Sequence, residues 1–146
     1  MPLLKSPAYY AEKHKHVYME MAKNIAGLSK AVKAKVGSVI YLDNHTLSMG
    51  LNGQPSGYHT EVCEYHDQDH LTTCNTVIHA EKAAIDKITD EGLLKGAILF
   101  VTLCPCLRCS RLIQEVGIQK VYYSDEYRSK EGIEYLQQHS IECVKI

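Results

Sequence analysis

His79-Ala80-Glu81, answered downstream by Pro105-Cys106-Leu107-Arg108-Cys109, is the stretch around which the rest of the chain is organised. His79, Cys106 and Cys109 offer one borderline imidazole and two soft thiolates, a good donor set for Zn²⁺. Three protein ligands are what a catalytic zinc takes when its fourth position is kept for water, whereas a structural zinc normally has a fourth protein ligand. Glu81 stands two residues past the histidine, close to the metal on a different azimuth, which suits a proton shuttle better than a ligand. The nearest extra thiol, Cys104, is expected to end a strand and point away from the ion, so it reads as buried or pocket-lining. Cys143 reads as a core residue of the last strand.

The local sequence puts these ligands at helix starts. Pro105 is acceptable in a first turn, because its missing N–H has no partner there. Cysteines three apart in a helical turn share a face and reach one ion, and a helix N-terminus favours thiolates. A zinc held in this way would activate a water, with Glu81 placed to take and return its proton.

Outward from this stretch the chain reads α-β-β-α-β-α-β-α-β. Ser6-Pro7 is a helix start, and Tyr10, His14, Val17, Met21, Ile25 and Leu28 recur near helical spacing, which predicts one helix from Pro7 to Ser29. Val36–Leu42 and Leu47–Leu51 read as strands joined by a turn at Asp43-Asn44. Residues 54–75 are polar without a clear period, a length that is usually functional or tied down. A helix carrying His79, Ala83, Ala84, Ile85 and Ile88 follows and ends near Glu91-Gly92. Then come a buried strand Ala97–Leu103, a helix from Pro105 stopped by Gly117, a strand Lys120–Ser124, a helix Lys130–His139 and a strand Ile141–Lys145. Helices alternating with strands after the first hairpin imply a mixed sheet covered by helices, in a single domain spanning 1–146.

Composition narrows the function. The chain has 146 residues, 45% hydrophobic and 23% charged, with a formal net charge of −1. That balance is globular and lacks the basic excess that a polynucleotide or membrane surface demands. No signal-like h-region or spanning run is present, so a soluble, cytoplasmic chain is expected, in the host cytoplasm if the source is viral. Six cysteines in such a compartment are metal ligands or buried thiols rather than a disulfide frame.

The order His-x-Glu then Pro-Cys-x-x-Cys is the signature of zinc nucleobase deaminases. From about Met21 to Ile146 the chain resembles the cytidine deaminase superfamily and, within it, the deoxycytidylate (dCMP) deaminases. The resemblance is carried by Val36-Gly37, Gly50-Leu51-Asn52-Gly53 with Pro55 and Gly57, Cys63, Ile78-His79-Ala80-Glu81, Val101-Thr102-Leu103-Cys104-Pro105-Cys106, and Gly117-Ile118 before Val121-Tyr122-Tyr123. It implies a three-layer α-β-α fold on a five-stranded sheet, and a hexamer. It also implies zinc-dependent hydrolysis of the C–N bond of dCMP to give dUMP, a precursor of dTMP. It implies that His79, Cys106 and Cys109 bind zinc, that Glu81 is the proton shuttle and that Asn52 hydrogen-bonds the deoxyribose. Gly50, Leu51, Asn52 and Gly53 would help form an allosteric site where dCTP activates and dTTP inhibits. Two positions depart from the family: Leu51 stands in place of its loop tyrosine, which removes an aromatic stacking surface, and Ala83 in place of its asparagine two residues after the glutamate.

Further candidates surround the motif. Ala80 and Cys104 are candidate substrate contacts. Ser29 and Lys33, with Lys35, could meet a phosphate; the ordinary alternative for lysines is a solvated surface. Asn52 could equally serve turn geometry alone. Tyr123, Asp125, Tyr127 and Arg128 follow the fourth strand, where Tyr127 could pack on the substrate at the pocket rim or lie in an ordinary exposed loop. Cys63, His66, His70 and Cys74 could hold a second, structural zinc; a free-thiol loop and a Cys63–Cys74 disulfide are the alternatives. Competing functions are a deaminase acting on dCTP or on a base in tRNA or single-stranded nucleic acid, and a non-catalytic zinc module. Near-neutral charge counts against a polynucleotide substrate and Glu81 against the module.

Overall fold

The two longest apolar runs fill the middle of the sheet. In a computed structural model, which describes residues 6–43, 45–127 and 129–146, these runs form β1 (Gly37–Asp43) and β5 (Ile98–Leu103). Both are buried along nearly their whole length, as expected of strands covered on two faces. The other strands of the sheet are β2 (Thr46–Leu51), β6 (Lys120–Asp125) and β7 (Glu142–Lys145), in the order β2-β1-β5-β6-β7. β1 is antiparallel to both β2 and β5, while β5, β6 and β7 run parallel, which makes the sheet mixed. The parallel strands are joined through α4 (Leu107–Val116) and α5 (Glu131–Gln138).

Period-2 alternation splits the core in two. Ile40, Leu99, Val101 and Val121 point to one face and pack with Ala84 and Ile85 of α3 (Ala80–Asp86), Ile113 of α4 and Leu136 of α5. Val39, Tyr41, Ile98, Phe100 and Tyr122 point to the other, against α1 (Pro7–Lys13) and α2 (Lys15–Ala26). The expected three layers are thus present. On the second face Phe100 and Tyr122 stack at 4.9 Å and 8°, and Tyr18 leans on Tyr41 and Phe100. Each fully buried side chain of this size contributes about 1.5–3 kcal/mol.

Three expectations are corrected. The first helix is two, broken at His14, whose backbone leaves the helical region (φ −114, ψ 23). Its regular stripe is only partly buried: Tyr10 and Met21 pack against the core but Val17 and Leu28 are exposed, and α2 fully buries Tyr18, Met19, Ala22 and Ala26. Small side chains at 22 and 26 and the absence of a Cβ at Gly37, where one would meet Ala22 O at 2.1 Å, let the helix sit close to β1. The second correction is that residues 54–75 contain a two-stranded hairpin, β3 (Glu64–Asp67) and β4 (His70–Thr73), turning through Gln68 and Asp69 at φ 47 and 71. The third is that Pro105 precedes α4 rather than entering it, because Cys106 is the N-cap. Of the turn expected at Asp43-Asn44, Asn44 lies outside the described residues, as does Arg128. No helix among the described residues is long and apolar enough to cross a membrane.

Candidate metal centre and active site

α3 and α4 begin in the same way. His79 and Cys106 are their N-caps, both in extended backbone (φ −71, ψ 154 and φ −72, ψ 169), and neither side chain caps its own helix. Ser, Asp or Asn would normally fold back there onto the first turn. An imidazole and a thiol are left to point away, towards each other. Cys109 follows in the first turn of α4 and is buried.

The ligand atoms of His79, Cys106 and Cys109 lie within 4.8 Å of one another. His79 Nδ1 is 3.3 Å from Cys109 Sγ and 3.6 Å from Cys106 Sγ. A tetrahedral zinc with ordinary Zn–N and Zn–S bonds requires about 3.6 Å between those atoms. The proton balance fits as well. The Cys109 thiol, with His79, holds Cys106 down at about 3 as a thiolate. The Cys106 thiolate and burial push Cys109 up, and the same thiolate raises His79. Two sulfurs so close cannot both ionise without a cation, and a divalent ion is what lets them do so. Among the described residues no other group of three His, Cys, Asp or Glu side chains is placed to share an ion. That corrects the second zinc. Cys63 and Cys74 are free thiols that pack with Ala31 and Val77, while His66 and His70 sit exposed on the hairpin, opposite Leu71 and Asp67. An apolar cluster and strand pairing, not a metal, order that segment.

Glu81 is 4% exposed and lines the same cavity as His79 and Cys106. Burial raises its carboxyl to about 7, a shift opposed by its own backbone N–H, by His79 and by the Cys109 thiol. A carboxyl near neutrality can both take and give a proton.

The cavity measures about 370 Å³, within the range of small-ligand sites. Asn52, Ala80, Cys104, Tyr127 and Lys33 line it, as read from the sequence. Ser29 does not. It is buried and hydrogen-bonds Asn52, so it acts at one remove. Asn52 has the structural role that was one of the two readings made of it. Its Oδ1 accepts from Val36 N–H (2.9 Å) and Ser29 Oγ (2.7 Å), and its Nδ2 donates to Ala34 O (2.8 Å). One N–H of the amide is left over for a ligand. Cys104 is buried, and its Sγ accepts the Tyr127 N–H at 3.0 Å, which seats the half-exposed Tyr127 at the cavity mouth. Lys35 lies on a separate groove with Lys23 and Asp125.

The Gly50–Gly53 stretch has a packing role. A Cβ on Gly50 would meet Ala80 O at 2.3 Å and Ala84 N at 2.6 Å, so only glycine lets α3 approach β2 this closely. Gly53 and Ile78 exchange backbone hydrogen bonds just before His79. The metal turn is braced in the same way from the other side. Gly132, near the start of α5, has its Cα over Pro105 and Ser110, where a Cβ would lie 2.1 Å from Pro105 O and 2.7 Å from Ser110 Oγ. Sequence reading missed Glu64, Thr73 and Val77, which also line the cavity. The hairpin that brings Glu64 and Thr73 there has no glycine in its turn, so its usual signal is absent.

Comparison with known proteins agrees with this geometry. The family model for the cytidine and deoxycytidylate deaminase zinc-binding region matches residues 12–125. The chain is 32% identical over 120 residues to the deoxycytidylate deaminase of Saccharomyces cerevisiae, covering 78% of this chain and 38% of that protein. It is 32% identical over 119 residues to the deoxycytidylate deaminase of Mycobacterium phage D29, covering 75% and 92%. The chain therefore spans well under half the length of the yeast relative and nearly all of the phage one. It superposes on the crystal structure of dCMP deaminase from the cyanophage S-TIM5, solved with dCMP and dUMP, with a TM-score of 0.82 and 37% identity, over 92% of this chain and 97% of that one. With the fold, the three converging ligands and the family match in agreement, the chain belongs to the zinc-binding cytidine and deoxycytidylate deaminase family.

Proposed function

We propose that this chain hydrolyses the exocyclic amine of dCMP to give dUMP and ammonia. The observation that carries the reading is the convergence of His79, Cys106 and Cys109 on one wall of a cavity that also holds buried Glu81 and the spare N–H of Asn52. Zinc, when bound by these three ligands, supplies Lewis acidity that brings water to a reactive state near pH 7. Glu81 would take the first proton of the attacking water to the ring nitrogen next to the amino-bearing carbon. It would then take the second, from the hydroxyl newly bonded to that carbon, to the amine, which leaves as ammonia while the hydroxyl oxygen becomes the carbonyl of dUMP. Burial excludes bulk water and pushes this carboxyl upward, which favours its handing a proton on. Asn52 orients the sugar with its remaining N–H, Lys33 faces the phosphate, and Tyr127 and Cys104 close the mouth around the base.

The test is turnover of dCMP, dCTP, deoxycytidine and a short oligonucleotide in parallel, with Glu81→Gln beside the wild type. The expected outcome is preference for dCMP, and a Glu81→Gln enzyme that keeps one zinc per chain but loses at least about 10²-fold in kcat. Turnover of deoxycytidine in preference to dCMP would overturn the substrate, and an active Glu81→Gln would overturn the mechanism.

The chain is proposed to work as a single deaminase domain in the cytoplasm and as a homo-oligomer, a hexamer by resemblance. Support for a protein partner comes from the apolar Val17, Leu28 and Val32 left exposed along and beyond α2. Regulation by dCTP and dTTP through Gly50–Gly53 is proposed to be weak, because Leu51 offers no ring to an effector base and the space over Gly50 is taken by α3.

A further inference from the structure

Besides Glu81, one carboxylate lines the metal-bearing cavity: Glu64, the first residue of β3. It is 7% exposed. Its Oε2 accepts two successive backbone N–H groups, from Val32 at 2.8 Å and Lys33 at 2.9 Å. Successive amides converging on one anion make a nest of the kind that binds phosphates and carboxylates. Here the anion is the chain's own.

The strap held in this way, residues 31–34, contributes three residues to the cavity wall: Ala31, Lys33 and Ala34. Its two ends are tied elsewhere. Ala31 N–H donates to Ser29 Oγ at 3.2 Å, and Ala34 O accepts from Asn52 Nδ2. The middle is tied to side chains by Glu64. The hairpin beginning at Glu64 is anchored in turn by Cys63, which packs on Ala31 and Val77. A hairpin with no role in the metal centre thus reaches the wall that faces the ligand.

We infer that Glu64 is a positioning residue for the nucleotide: by filling the nest at Val32 and Lys33, its carboxylate fixes the wall that carries Lys33 and leaves the substrate phosphate to the Lys33 ammonium rather than to the backbone amides. A charge-assisted bond to each amide holds the strap in one conformation. Without it, Lys33 keeps its charge but loses its fixed origin, which weakens binding and leaves the chemistry at Glu81 untouched.

This inference rests on the dCMP reading, so the experiment has one readout that needs substrate and one that does not. Glu64→Ala is expected to raise KM for dCMP by roughly tenfold, with kcat within about threefold and zinc content unchanged. Lys33→Ala raises KM similarly, and the double variant is no worse than the larger single effect, because both remove one interaction. Glu64→Gln, whose amide oxygen still accepts both N–H groups, restores KM to within about threefold of wild type. Independently of substrate, hydrogen exchange at the Val32 and Lys33 amides accelerates at least about tenfold in Glu64→Ala and stays slow in Glu64→Gln. Additive effects of the two alanine variants, a parallel fall in kcat and zinc content, or unchanged exchange at both amides would each overturn the inference. A wild-type chain that ignores dCMP refutes the proposed substrate, and amide exchange still decides whether Glu64 holds the strap.

Discussion

Gly132→Ala places a methyl where the metal turn already is. The new Cβ would stand 2.1 Å from Pro105 O, 2.7 Å from Ser110 Oγ and 2.9 Å from the Cys106 carbonyl carbon. The first is more than 1 Å short of ordinary contact, and two of the three neighbours are backbone, which cannot rotate aside as a side-chain tip can. α5 must therefore back away from the start of α4, or the Pro105–Cys106 turn must move. Overpacking of this kind costs about 1–3 kcal/mol. For a chain of 146 residues that lowers Tm by roughly 3–10 °C. The damage is not spread evenly. Because Cys106 is a metal ligand and Ser110 adjoins Cys109, the shift also loosens the ligand pair, and zinc is lost to a competing chelator at lower chelator concentration. The assay is thermal unfolding with and without zinc, together with a chelator titration. Gly53→Ala is the control: a Cβ there meets nothing within 4 Å, so its Tm is expected within about 1–2 °C of wild type. If Gly132→Ala matched that control in both Tm and zinc retention, the close seating of α5 on the metal turn would be refuted.

Asn52→Ala removes three hydrogen bonds that fix the entrance to β1, so it should cost about 2–4 kcal/mol of stability as well as substrate affinity; a Tm within about 2 °C of wild type would show that the amide is not structural. Removing zinc leaves Cys106 a thiolate, held down at about 3 by Cys109 and His79, so iodoacetamide at pH 6 should label Cys106 before Cys109 in chelated protein only; equal labelling of the two would contradict the proton arrangement described above. Glu12 is lowered from 4.5 to about 2 by hydrogen bonds from Lys15 and Tyr122. Its folded value lies below its unfolded one, so its stabilisation is present above about pH 4.5 and fades as pH falls towards 2. Solvent screening keeps that contribution small, since its side chain is half exposed. The stability gap between wild type and Glu12→Gln, measured by urea unfolding, should be widest near pH 7 and close between pH 4.5 and 2; a gap that widened in acid would reverse the sign.

The parts legible in the sequence were those whose signal is local. β1 and β5 are unbroken apolar runs, and the zinc ligands stand at fixed spacing beside helix-start residues. The illegible parts were decided by neighbours far along the chain. Val17 and Leu28 have the spacing of a buried stripe, yet Ala22 and Ala26 are buried, because what matters is how closely a helix can approach β1. Glu64 sits in a polar stretch without period, and only strand pairing across Gln68-Asp69 and contact with the amides of Val32 and Lys33 give it a place in the cavity. Ser29 was read as a ligand contact from its position. It lies behind Asn52 because the turn after α2 buries it, which residue type alone does not reveal.

The strand order carries a kinetic consequence. β5 pairs with β1 across a long separation, Ser38 facing Val101, and His79 falls in the segment between them while Cys106 and Cys109 lie beyond β5. The helix starts that aim the three ligands at one another are seated on the sheet that this closure completes. If the site is completed only with that sheet, zinc stabilises the folded side of the barrier. The refolding rate should be the same with and without metal, while the half-life of the folded chain lengthens as zinc occupancy rises.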